Sequence, residues 1–200
     1  MSPEYDLSRD RQTAWELLCS YTLSDSLRKH ALAVECAMRA YARRFGEDEE
    51  LWGVVGLIHD FDYEKFPDAA SHPYEGERIL EKLGYPENLR RAVMSHATYT
   101  GIPRDSLMAR VLFAVDELSG FVTACALVKP SRSIFEVEAR SVIKKMKDKA
   151  FARAVSRDDI RQGAIELGIE LEEHIDTVIA AMKGAAGELG LVGTPEGNPQ

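Results

Sequence analysis

Cysteine is scarce in this 200-residue chain: Cys19, Cys36 and Cys125 stand far apart. That excludes a disulfide framework or a thiolate cluster, and it suits a reducing compartment. No run of about 18 apolar residues occurs, so no segment is predicted to span a membrane. The opening stretch, MSPEYDLSRDRQ, is acidic and polar and lacks the apolar core of a secretory signal. A cytoplasmic location is the expectation. Basic excess is missing too: 25 Lys and Arg face 33 Asp and Glu, a formal net charge of −8. That sign opposes nonspecific binding to duplex nucleic acid. A small anion is still acceptable as substrate, because a bound cation reverses the local field. There is no Gly-rich loop of the nucleotide-triphosphatase kind and no internal repeat.

What is present is helical periodicity over an ordinary globular composition, 45% apolar and 29% charged. Leu27, Ala31, Val34, Met38 and Tyr41 recur at three- and four-residue steps, which predicts a core-facing stripe on a helix opened by a Thr22–Asp25 capping box. A second helix is predicted from about Asp48 to His59 and Asp60, followed by the aromatic loop FDYEKFP. Ser71 is the expected cap of a third helix that ends at Gly84, and Pro86 opens a fourth that runs to His96. A fifth is predicted from about Asp105, with Gly120 as a bend or stop. The stretch FVTACALV then reads as a further short helix or a buried strand. Three more helices are predicted, with capping boxes at Ser133–Glu136 and Ser156–Asp159 and a last stripe of Leu171, Ile175, Val178, Ile179 and Met182. The expected fold is all-α. Residues 1–22 are read as an N-terminal helix or extension, 23–185 as one helical domain, and 186–200, rich in Gly and Pro, as a flexible tail.

Four of the five histidines, His30, His59, His72 and His96, lie in the first half of the chain, each at a predicted helix face or end. His30 falls on the inward stripe, where it is either a hydrogen-bonded core residue or a ligand. Asp116 falls on the apolar side of its helix, where an ionised carboxylate needs a cationic partner. His59 and Asp60 are adjacent at a helix end. Imidazole and carboxylate without cysteine suit Mn, Fe, Co, Ni or Zn in a catalytic centre. Spacing alone leaves a metal site and a satisfied polar cluster equally open.

The order His30, then the His59–Asp60 doublet, then Asp116 resembles the HD superfamily of metal-dependent phosphohydrolases. The surrounding LRKHALAVECAMRAYA, GLIHDFDYEK and ARVLFAVDEL agree with it, and the family core would cover about residues 24–119. The resemblance implies an HD-type helical bundle in which His30, His59, Asp60 and Asp116 bind one divalent ion, a transition metal or Mg. SHPYEGERILEKLG and VMSHATYTG are similar to the part of two-metal members that adds histidines. This implies His72 and His96 as ligands of a second ion, with Asp60 bridging. The cyclic-dinucleotide branch has paired histidines and a GYP loop. Here Ala97 follows His96 and the loop reads TYTGIP, which speaks against that substrate.

The expected activity is hydrolysis of a nucleotide or other small phosphate ester or diester by metal-activated water. His59, Asp60 and Asp62 are the candidate catalytic residues, with Asp62 either orienting a ligand or acting as general acid, and Glu75 and Glu117 are weaker candidates. Lys65, Tyr99, Lys129 and Lys147 are the candidate substrate-binding residues. They are drawn from the loop aromatics and from the basic stretch KKMKDKAFARAVSRDD and its neighbours. The alternatives are a non-catalytic metal-binding or partner-binding module of the same fold, and a di-iron oxygenase.

Overall fold

The computed structural model describes residues 6–194, and among these there are ten α-helices and no strand. In chain order they are α1 (Arg11–Tyr21), α2 (Asp25–Phe45), α3 (Glu49–Ile58), α4 (Tyr74–Leu83), α5 (Glu87–His96), α6 (Leu107–Leu127), α7 (Ala139–Met146), α8 (Arg157–Leu167), α9 (Leu171–Gly184) and α10 (Ala186–Leu189). None is long and apolar enough to cross a membrane.

The stripe read from α2 is buried from Ala31 to Tyr41. Gly46, at φ 72°, takes the left-handed conformation that turns the chain back so that α3 packs against α2. The two helices approach closely at Gly56, where a Cβ would meet the Glu35 backbone at 2.9 Å. α6 runs through the centre and packs against α2, α5, α8 and α9. Its residues Val111, Leu112, Val115, Leu118, Phe121 and Val122 are fully or almost fully buried. That burial comes from periodic apolar residues meeting helices on several sides.

Several predicted helix ends move. Ser24, not Thr22, caps α2, because the Thr22 hydroxyl is buried and donates to Phe61 O at 2.9 Å. Ser71 does not cap α4; its hydroxyl donates to Asp68 Oδ1, and the helix begins at Tyr74 after Pro73. α6 begins after Ser106, whose Oγ accepts from Ala109 N, and it neither stops nor bends into a second element at Gly120. FVTACALV completes α6 because Phe121, Val122, Cys125 and Ala126 continue its buried face. Ser133 caps a short 3-10 turn, Ile134–Glu136, while α7 starts at Ala139 with Glu138 N donating to Ser141 Oγ. Ser156 caps α8 as read, its Oγ accepting from Asp159 N at 3.2 Å.

The predicted flexible tail is corrected as far as residue 194. α10 packs its Leu189 into the core, Leu191 is buried beyond it, and Leu191 O accepts from Ile134 N at 2.9 Å. Glycine and proline content alone did not reveal these two apolar anchors. Residues 195–200 of that tail, and 1–5 of the N-terminal extension, lie outside the described residues.

His174 is the histidine that joins no site. It is fully buried between α9, α2 and α6, where Nδ1 accepts from the Tyr41 hydroxyl at 2.6 Å and Nε2 donates to Ala114 O at 2.9 Å. Both ring nitrogens are satisfied only in the neutral form. Burial accordingly pushes its pKa down to about 4.

Candidate metal centre

Helix ends and one helix crossing bring six side chains together. His30 projects from α2 towards Asp116 of α6, with His30 Nε2 3.0 Å from Asp116 Oδ1. His59 follows the last residue of α3 and is fully buried, with Nδ1 donating to Gly56 O at 2.8 Å. That bond leaves the Nε2 lone pair aimed at the centre, 3.4 Å from Asp116 Oδ1 and 3.7 Å from Asp60 Oδ2.

Asp60 turns its other oxygen the opposite way. Its Oδ1 lies 3.2 Å from His72 Nε2 and 3.1 Å from His96 Nε2. His96 ends α5 and donates from Nδ1 to Val93 O, while His72 donates from Nδ1 to Asp62 Oδ1 at 2.9 Å. Three imidazoles thus spend their Nδ1 protons on acceptors of the chain and point Nε2 at two aspartates. The Nε2 atoms of His72 and His96 come within 3.4 Å of each other.

The arrangement divides into two ligand groups, His30–His59–Asp116 and Asp60–His72–His96. In each, one donor atom per residue lies within 4.8 Å of the others. The two oxygens of Asp60 face one group each. His59 Nε2 and Asp60 Oδ1 are buried and make no hydrogen bond. Buried polar atoms without partners are rare and mark a place for an ion or water. Imidazole nitrogen with carboxylate oxygen is a donor set that fits a divalent transition metal.

Without an ion the centre is strongly polarised. Burial disfavours the charged imidazolium of His59, His72 and His96, but the neighbouring carboxylates outweigh it and raise all three, His72 to about 9. Burial likewise opposes the charge on Asp60 and Asp116, yet the surrounding histidines hold both well below the usual carboxylate range. A cation bound here replaces those protons.

Five of the six candidate ligands, all but His59, line an open cavity of about 620 Å³. Its walls include Tyr63, Tyr99, Phe113, Glu117, Gly120, Val155 and Asp159. The Tyr99 hydroxyl donates to His72 O at 2.9 Å, and the Tyr63 ring meets the His72 ring edge-on at 5.3 Å. Glu117 accepts from Ser156 N at 3.0 Å; burial, then the Asp116 charge, pushes its pKa up to about 7.

Other predicted site residues lie elsewhere. Asp62 is not in the cavity: it is buried behind His72, with Oδ2 accepting from Gly76 N at 2.9 Å, so it positions His72 and has no access to a substrate as general acid. Lys65 is tied to α1, where Nζ donates to Ser20 O at 3.0 Å and sits over the Tyr21 ring. Lys129 lines a different pocket, and Lys147 follows the end of α7 and lines neither. Glu75 pairs with Arg78 on the exposed side of α4. Phe61 is core, stacked edge-on against Tyr21.

One glycine, Gly76, escaped the sequence reading, and another, Gly120, was read only as a bend or stop of its helix. Gly76 holds its N–H against Asp62, and a Cβ there would meet Asp62 Cγ at 2.7 Å. Gly120 lies beside the His30 ring and opens the cavity wall. A glycine inside an apolar helical pattern is the signal that could have found both.

A family model described as HD domain matches residues 27–120. That span runs from the start of the α2 stripe to Gly120 and contains all six ligand candidates. No curated protein and no solved structure matches the chain.

Proposed function

Because this chain belongs to the HD superfamily, we propose that it is a metal-dependent phosphohydrolase acting on a small phosphate ester such as a nucleotide. One observation carries the reading: the Nε2 atoms of His59, His72 and His96 converge on two aspartates at the base of an open cavity lined by all but His59, with His59 Nε2 and Asp60 Oδ1 buried and unbonded. His30, His59, Asp60 and Asp116 would hold one divalent ion, and Asp60, His72 and His96 a second. Such ions withdraw charge from a phosphoryl oxygen and lower the pKa of water.

The chain itself supplies position and selection. The carbonyls of Gly56 and Val93 and the carboxylate of Asp62 fix the tautomer and ring plane of His59, His96 and His72. The open mouth favours catalysis over a sealed structural site. Tyr63 and Tyr99 offer aromatic faces to a base or other ring. No Lys or Arg lines the cavity among the described residues, while Glu117 and Asp159 do. The phosphoryl charge is therefore met at the metal centre alone. This favours an ester of a single phosphate over a polyphosphate chain, whose outer charges would face carboxylates.

The test is phosphate release from a panel of phosphate monoesters, diesters and triphosphates with Mn, Mg, Co, Fe or Ni added. Metal-dependent release is expected, strongest on monophosphates. Asp60→Asn should lower kcat by at least about 10²-fold. A fully active Asp60→Asn enzyme, or hydrolysis indifferent to chelation, would overturn the proposal. Oxygen consumption without phosphate release would replace it with an oxygenase.

A further inference from the structure

The lysines and arginines of the most basic stretch do not line the metal-centre cavity, although Val155 and Asp159 of the same stretch do. Lys129, Lys144 and Lys145 instead line a separate pocket of about 450 Å³ together with Cys125, Val128, Ser141 and Asp148. Two helix segments build it. On α7, Ser141, Lys144 and Lys145 stand at three- and four-residue steps and share one face. Opposite them, Cys125 in the last turn of α6 is followed by Val128 and Lys129 at the same steps.

Cys125 gives the pocket a buried apolar lining residue, and Lys145 Nζ lies 4.7 Å from the centre of the Phe151 ring. Lys129 and Lys145 are half-buried, so they are held at the pocket and not splayed into solvent.

Three lysines line this small concavity with one acidic residue, Asp148, whose carboxylate accepts from Ala150 N at 3.0 Å. None of the three forms an ion pair; the one lysine ion pair among the described residues is Lys29 with Asp25. On a chain of net charge −8 this is a local reversal of sign. Like charges gathered in a cleft repel each other, and the cleft walls focus their field outward onto an incoming anion.

We propose that this pocket binds a small anion carrying at least two negative charges, of the phosphate or pyrophosphate type, at a site separate from the metal centre. Lys129 and Lys145 grip it from the α6 and α7 sides, and Lys144 closes the rim.

The probe is inorganic pyrophosphate, titrated calorimetrically into the full chain in the presence of chelator. Three proteins are compared: wild type, the metal-centre variant His59→Ala, and the double variant Lys129→Gln/Lys145→Gln. These lysines sit at the surface end of the pocket, and an unchanged melting temperature checks the fold of the double variant. Saturable binding is expected in wild type and His59→Ala alike. It should weaken at least about tenfold in the double variant and fall with added salt. Lys129→Arg/Lys145→Arg should retain most of it, since charge is preserved. Three outcomes would overturn the proposal: no binding to wild type at millimolar pyrophosphate, equal affinity in the Lys→Gln variant, or loss of binding in His59→Ala with the Lys→Gln variant unaffected.

Discussion

Asp62 and Gly76 show how closely the centre depends on groups that never face the cavity. Asp62 is buried and gives one oxygen to His72 Nδ1 and the other to Gly76 N. Glycine is required there because a Cβ would come within 2.7 Å of the Asp62 carboxyl carbon. Gly76→Ala should therefore displace Asp62, release His72 from its fixed orientation and weaken the Asp60–His72–His96 group. Loss of such an orienting partner typically costs about 10–100-fold in metal affinity. Metal titration of Gly76→Ala should show that loss in one class of sites, with the His30–His59–Asp116 group still binding. Wild-type affinity at every site would refute the positioning role. The doublet His59–Asp60 was legible because a helix end aims adjacent side chains at one place. The direction of Asp62 was not, because a turn carboxylate points wherever tertiary partners draw it. Lys65 fails for the same reason: its ammonium group is drawn to Ser20 O and the Tyr21 ring.

Helix contacts set the frame for these side chains. α8 lies across α6 at Gly163, where a Cβ would sit 2.5 Å from the Ala114 Cα. Backbone cannot yield as a flexible side chain can. Gly163→Ala should lose about 1–3 kcal/mol through overpacking, despite the roughly 1 kcal/mol that alanine gains in helix propensity. Denaturant unfolding measures the sign directly, and a stabilised variant would show that the two helices separate freely.

His174 joins α9 to Tyr41 of α2 and Ala114 of α6. With a folded pKa of about 4 against an unfolded value near 6.5, its contribution is fully present above about pH 6.5. It is lost as pH falls towards 4, because the unfolded chain takes up the proton first. The total is about 3 kcal/mol. His174→Gln should flatten the difference in stability between pH 6.5 and 4 by that order. An unchanged slope would mean that His174 is not held neutral. Helix identity was readable from apolar periodicity for most of the chain, but not for FVTACALV, which was open between helix and strand, nor for α10, and several helix limits were missed. α6 continues through Gly120 because buried neighbours on both sides of it outweigh the weak local preference of one glycine.

At the scale of the molecule, the all-α fold was legible from helical periodicity, whereas the candidate set His30, His59, Asp60 and Asp116 was legible only through its resemblance to the HD order, since spacing alone left a polar cluster equally open. The six candidates meet only when α2, α3, α5, α6 and the turn before α4 are packed together, so the centre is a property of the folded chain. A metal that binds only the folded state adds its binding free energy to stability. The separation of the basic side chains from the cavity was hidden in the sequence, since charge composition does not say into which pocket a lysine emerges. The most direct measurement of the central claim is metal content per chain, by elemental analysis after saturation with Mn or Fe and removal of excess, in wild type and Asp60→Ala. Asp60 offers an oxygen to both ligand groups. Wild type should hold one to two ions per chain, and Asp60→Ala should lose most of them together with the metal-induced rise in melting temperature. Equal metal content in the two proteins, with equal affinity, would contradict the account.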